Sequence, residues 1–128
     1  MTYAFPPSRS YIGISPTIVV EVARCWRNAL TSGRSVQPCL YNILHPHNAQ
    51  ILAPVLDSLL RFYELALGRA VSTGSASVRT RDESRLVGIL DGTLRSRAFI
   101  SCSADVAKGL ERAVKSARIM MRLASSEQ

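Results

Sequence analysis

The chain is poor in the residues that usually carry chemistry. It has three cysteines, two histidines and one tryptophan, and aromatic residues make up only 6% of it. Cys25, Cys39 and Cys102 are odd in number, widely spaced and without a C-x-x-C pair. That argues against a disulfide framework and for a reducing compartment. No G-x-S-x-G, G-x-G-x-x-G, G-x-x-x-x-G-K-[ST] or H-E-x-x-H motif occurs, so the common hydrolase, dinucleotide, P-loop and zinc-protease templates do not apply. No apolar run reaches the roughly 18 uncharged residues of a spanning helix. The start, MTYAFPPSRSYIGIS, has no charged head followed by an apolar stretch and does not read as a signal peptide. Acidic residues number only nine.

Against this stand a rich supply of aliphatic side chains and of arginine. Hydrophobic residues make up 47% of the 128, enough for one ordinary globular domain. Net charge is +7, and fourteen of the sixteen basic residues are Arg. Such a balance suits an anionic partner, though a coding bias that favours Arg accounts for it without one.

The densest apolar stretch is Ile51 to Gly68, ILAPVLDSLLRFYELALG. Asp57, Arg61 and Glu64 share one narrow helical stripe that would face water, and apolar residues cover the rest. The spacing predicts a core helix, with Pro54 in its first turn, Asn48 to Leu52 as a separate preceding turn, and Gly68 as its stop. Before it, Ser15-Pro16 opens a helix that Gly33 ends, and Pro38 to Leu44 forms a short one that stops at His45-Pro46-His47. Residues 1–14 have no period and read as an extended arm, with Phe5, Tyr11 and Ile12 as docking points.

Arg69 to Arg81, RAVSTGSASVRTR, is small and polar and reads as a flexible surface loop. Thr80-x-x-Glu83 has the capping-box spacing, which favours a helix over 81–91. Asp91-Gly92 is also a hairpin turn signal, so a hairpin over Arg81–Leu94 competes with it. Leu94 to Cys102 is ambiguous, with a short extended segment expected near Ala98–Ile100. The last helix runs from Ala104 to Ala124, and 125–128 reads as a frayed tail. The sum is an all-α domain over 15–124, a small irregular bundle of about five helices.

Candidate sites are few. Cys39, His45 and His47 lie close together and could contribute to a metal site, but C-x5-H-x-H fits no zinc template, and packing or helix capping explains the same residues. Cys102, just before the last helix, is the thiol to probe. Asp82 and Glu83 are adjacent acids, explained by their place at a helix start. Lys108, Arg112, Lys115, Arg118 and Arg122 form a basic stripe suited to phosphate contact, with pairs such as Glu111–Lys115 as its plain alternative. Arg79, Arg81, Arg85, Arg95 and Arg97 form a second basic group. A helix-turn-helix reading of 16–67 fails, because its third helix offers only Arg61 to base edges.

No catalytic residue and no cofactor is assigned. The expectation is a small cytoplasmic binding or oligomerisation module without chemistry of its own, acting as a homodimer. The alternatives are a nucleic-acid-binding regulator using the basic helix face, and a small-molecule or metal-binding protein around His45 and His47.

Overall fold

A computed structural model describes residues 14–126 and contains five α-helices and, among those residues, no strand. The helices begin and end where local chemistry requires. In α1 (Pro16–Ser32) the Ser15 hydroxyl accepts from the Ile18 amide, proline fills the first turn, and Gly33, at φ 71°, takes the left-handed stop. Helix α2 (Val36–Leu44) starts two residues before the expected Pro38, since a proline in the first turn has no intrahelical donor to lose. A 3-10 turn at Gln50–Leu52 then precedes α3 (Ala53–Leu67), which carries Pro54 in its first turn and ends on Gly68.

Helix α4 (Arg81–Asp91) has both halves of the Thr80–Glu83 capping box. The hairpin alternative for this stretch therefore falls: Gly92, at φ 84°, closes a helix instead of turning a ribbon. The extended segment expected near Ala98–Ile100 is absent too. Residues Ser96–Ala98 form a 3-10 turn, with the Ser96 carbonyl accepting from the Phe99 and Ile100 amides. The Arg85 guanidinium lies 4.6 Å from the Phe99 ring centre and holds this connection against α4. Helix α5 (Ala104–Ser126) runs past the expected end at Ala124.

The core forms where α3 packs on α5 and α1 packs on α2. Trp26, Tyr63, Leu40, Leu44, Leu52, Leu59, Leu60, Leu86 and Leu110 are its largest fully buried apolar side chains. Gly109 sits in α5 because a Cβ there would run into the Phe62 ring of α3. Ile14, the last residue of the expected arm, is buried in this core; residues 1–13 lie outside the described residues, as do Gln128 and Glu127 of the expected tail.

Two readings of the polar residues change. The water face of α3 is Pro54, Ser58, Arg61 and Leu65. Asp57 and Glu64 turn towards α1 instead, where Asp57 accepts from Trp26 Nε1 at 2.8 Å and Glu64 from Arg27 at 2.5 Å. An indole N–H buried at 1% exposure needs an acceptor, and a carboxylate on the neighbouring helix supplies it. Asp57 also keeps the expected contact with Arg61, at 3.0 Å.

The cysteines change as well. Cys25 of α1 and Cys39 of α2 form a disulfide, with their Cα atoms 6.3 Å apart, and Cys102 is a free, exposed thiol. An odd count leaves room for one pair, and the α1–α2 packing brings that pair together. The argument from cysteine number to a reducing compartment therefore loses its footing.

Candidate functional site: a basic groove beside a carboxylate clamp

The stripe on α5 is one wall of a groove of about 910 Å³. Its other wall is the connection after α4, which carries Leu94, Arg95 and Arg97. Lys115, Arg118 and Arg122 face them from α5, and Ile89, Val114 and Ile119 supply apolar surface. Two basic groups that stand apart in the sequence thus share one concavity. Among the described residues, five cationic side chains line it with a single carboxylate, Glu111.

Two of the cations are held in place before any ligand arrives. Arg97 Nε donates to Glu111 at 2.7 Å, so Glu111 pairs across the groove and not along its helix with Lys115. The Arg118 guanidinium packs against Gly92, where a Cβ would stand 3.0 Å from its nitrogen. The left-handed glycine that ends α4 therefore also makes room for Arg118, beside the partial negative charge of the helix end.

Not all the expected residues join. Lys108 and Arg112 lie on exposed α5 surface away from the groove lining. Arg85 is turned to Phe99. Arg79 precedes α4 and Arg81 is its first residue, and neither lines the groove. The candidates Cys39, His45 and His47 are not assembled: Cys39 is tied to Cys25, and His45 follows α2 and stacks on Tyr41 with ring centres 5.2 Å apart. Among the described residues, no group of three or more His, Cys, Asp or Glu side chains is placed to hold a metal ion.

The second feature is a buried acidic pair. Asp82 and Glu83 are 3% and 0% exposed at the start of α4. Arg24 of α1 grips Glu83 with two hydrogen bonds, at 2.8 and 3.1 Å, and donates two more to the Ala76 and Val78 carbonyls at 2.9 Å. Glu83 also accepts from the Gly74 and Thr80 amides. Asp82 accepts from both ends of the Arg69 guanidinium, at 2.6 and 2.9 Å, and from the Ser72 amide. The Tyr63 hydroxyl donates to the Asp82 carbonyl.

The Arg69–Arg81 stretch is therefore a strapped loop and not the flexible one its composition suggests. Small polar residues lack side chains to bury, so the backbone itself is bound by two carboxylates that reach in from the next helix. Ala76 takes a left-handed φ of 50° at its turn, an arrangement the Arg24 contact to its carbonyl secures. Val71 is buried, and its amide donates to Glu64 at 2.7 Å.

Charge matching sets the protonation of the pair. The Arg69 guanidinium, helped by the Ser72 amide, holds the Asp82 carboxyl below its ordinary range despite burial. Burial pushes Glu83 up, but Arg24 and the Thr80 and Gly74 amides outweigh it, and its carboxyl also lies below the usual range. Burial, and then the Asp82 charge, push the Tyr63 phenol well above its ordinary value. Both acids are thus ionised and satisfied, the state of a structural clamp more than of a proton donor poised to act.

The sequence pointed to Thr80 and Glu83 through cap spacing alone. Nothing local marked Arg24, 59 residues from Glu83, as its partner. No family model, no curated protein and no solved structure matches this chain.

Proposed function

We propose that the protein is a non-enzymatic binding protein whose groove between the Leu94–Arg97 segment and α5 takes a phosphate-rich polyanion, a nucleic acid backbone first of all. The observation that carries this reading is the convergence of five cationic side chains from two segments on one concave surface with one carboxylate. Four of the five are arginines, whose planar forks match phosphate oxygens in pairs. The lining is cationic and aliphatic, so contact would run through phosphates more than through base stacking.

Binding of a labelled short duplex, followed by anisotropy across a salt series, tests the reading. Five phosphate contacts would give a log–log salt slope of roughly −4.5, and K115E/R118E should bring it to about −2.7 or shallower with affinity down at least tenfold. No retention of DNA or RNA at low salt, or unchanged binding by K115E/R118E, would overturn it.

A second reading, that the protein acts as a homodimer, is favoured by apolar side chains left open on the same helix. Ile119 and Leu123 are 49% and 50% exposed, and Leu65 on α3 is 61% exposed. Ile119 and Leu123, one turn apart on α5, suit a partner surface. Light scattering decides this: a mass of 14.0 kDa at all concentrations would sink it, and a mass of twice that would uphold it. A cytoplasmic location belongs with this proposal, and fractionation of the native source would check it.

A further inference from the structure

We propose that the Cys25–Cys39 bridge is a site of reversible thiol–disulfide exchange with a dithiol as co-reactant, and that opening it loosens the strapped loop 69–80. The bridge does not lie in the core. Both cysteines are only partly buried, and they line a surface groove of about 410 Å³ together with Arg34, Ser35 and Asn42. Exchange requires a thiolate to reach a disulfide sulfur from outside, so access decides whether a bridge is reactive. Arg34 adds positive charge where an anionic thiolate would approach. Cys39 also stands near the N-terminal end of α2, which favours it as the departing thiolate.

The chemistry balances with one dithiol. Its first thiolate attacks Cys25 Sγ, the S–S bond breaks, and Cys39 leaves as a thiolate. Its second thiolate attacks the mixed disulfide and releases Cys25. The dithiol is oxidised by two electrons to a disulfide, the bridge is reduced to two thiols, and its sulfurs take up the two protons the dithiol gives up.

The consequence follows from how α1 is held. Helix α1 packs chiefly on α2, and the bridge fastens those two helices together. The next residue to Cys25 is Arg24, whose guanidinium makes the four hydrogen bonds that tie Glu83, Ala76 and Val78 into one unit. Freedom gained by α1 is thus passed directly to the loop.

Mass spectrometry of the intact chain tests both halves. The native oxidised protein should take one alkyl group, on Cys102, and three after dithiothreitol without denaturant. The Ser72 and Gly74 amides should then exchange hydrogen about tenfold faster, while α5 amides hold their rate. C25S/C39S should show the same exchange pattern without reductant. Three alkylations before reduction, a bridge that opens only in denaturant, unchanged loop exchange, or a rise shared equally by α5 would each overturn the proposal.

Discussion

Arginine does opposite work in two regions of this molecule. At the clamp, Arg24 and Arg69 each meet a carboxylate with almost no solvent exposure, and their charge is matched there even though the Arg69 side chain itself stays half exposed. In the groove, among the described residues, five cations line a concavity with one half-exposed carboxylate, which pairs with Arg97 at the surface. The residue type is the same, but the surroundings decide whether a guanidinium is a structural strut or, as proposed for the groove, a binding group. The count of sixteen basic residues therefore overstates what is available to a partner, because part of it is matched internally.

The sharpest test of the difference removes a carboxylate from each side. Glu83→Ala leaves a loop and a guanidinium without their acceptor, and should cost about 3 kcal/mol, the low end for breaking a buried pair. That corresponds to a Tm lower by roughly 10 °C in thermal unfolding. Glu111→Ala touches an exposed pair and should cost under about 1 kcal/mol. It should also tighten duplex binding several-fold, since it removes the one acidic side chain that lines the groove among the described residues. Equal stability losses in the two variants would erase the distinction.

Acid provides the second test. Asp82 and Glu83 have carboxyls lowered from ordinary values of 3.8 and 4.5. Their contribution is then complete above those ordinary values and is lost as pH falls through the lowered folded ones, because the unfolded chain takes up protons first. Urea unfolding should show stability falling below about pH 4.5, and Glu83→Gln should flatten that fall. A profile of Glu83→Gln parallel to the parent would remove Glu83 from the account.

A smaller effect is expected from the seat of the groove wall. Gly109→Ala gains helix propensity of about 1 kcal/mol but drives a methyl into Phe62, at about 1–3 kcal/mol. The net result should be a loss of about 1 kcal/mol with weaker duplex binding, as α5 shifts against α3, while the acid transition of the clamp stays in place. A stabilised variant would show that Phe62 yields without moving the helix.

Much of the fold was legible from residue order. Ser15-Pro16, Pro54, Thr80-x-x-Glu83, Gly33, Gly68 and Gly92 act through their own backbone and its nearest neighbours, so they mark helix ends without reference to the rest of the chain. The apolar spacing of α3 likewise named its buried side. The basic stripe on α5 was visible for the same reason, because helical periodicity alone puts Lys115, Arg118 and Arg122 together.

What the sequence could not determine were pairings across distance. Arg24 meets Glu83, Arg97 meets Glu111, Cys25 meets Cys39 and Trp26 meets Asp57 only once the helices are packed. Each pairing depends on the separation and facing of two elements, and burial then decides its strength. So the chain by itself specified five helices and an excess of positive charge. Tertiary packing alone decided which arginines are matched by buried carboxylates and which line the groove.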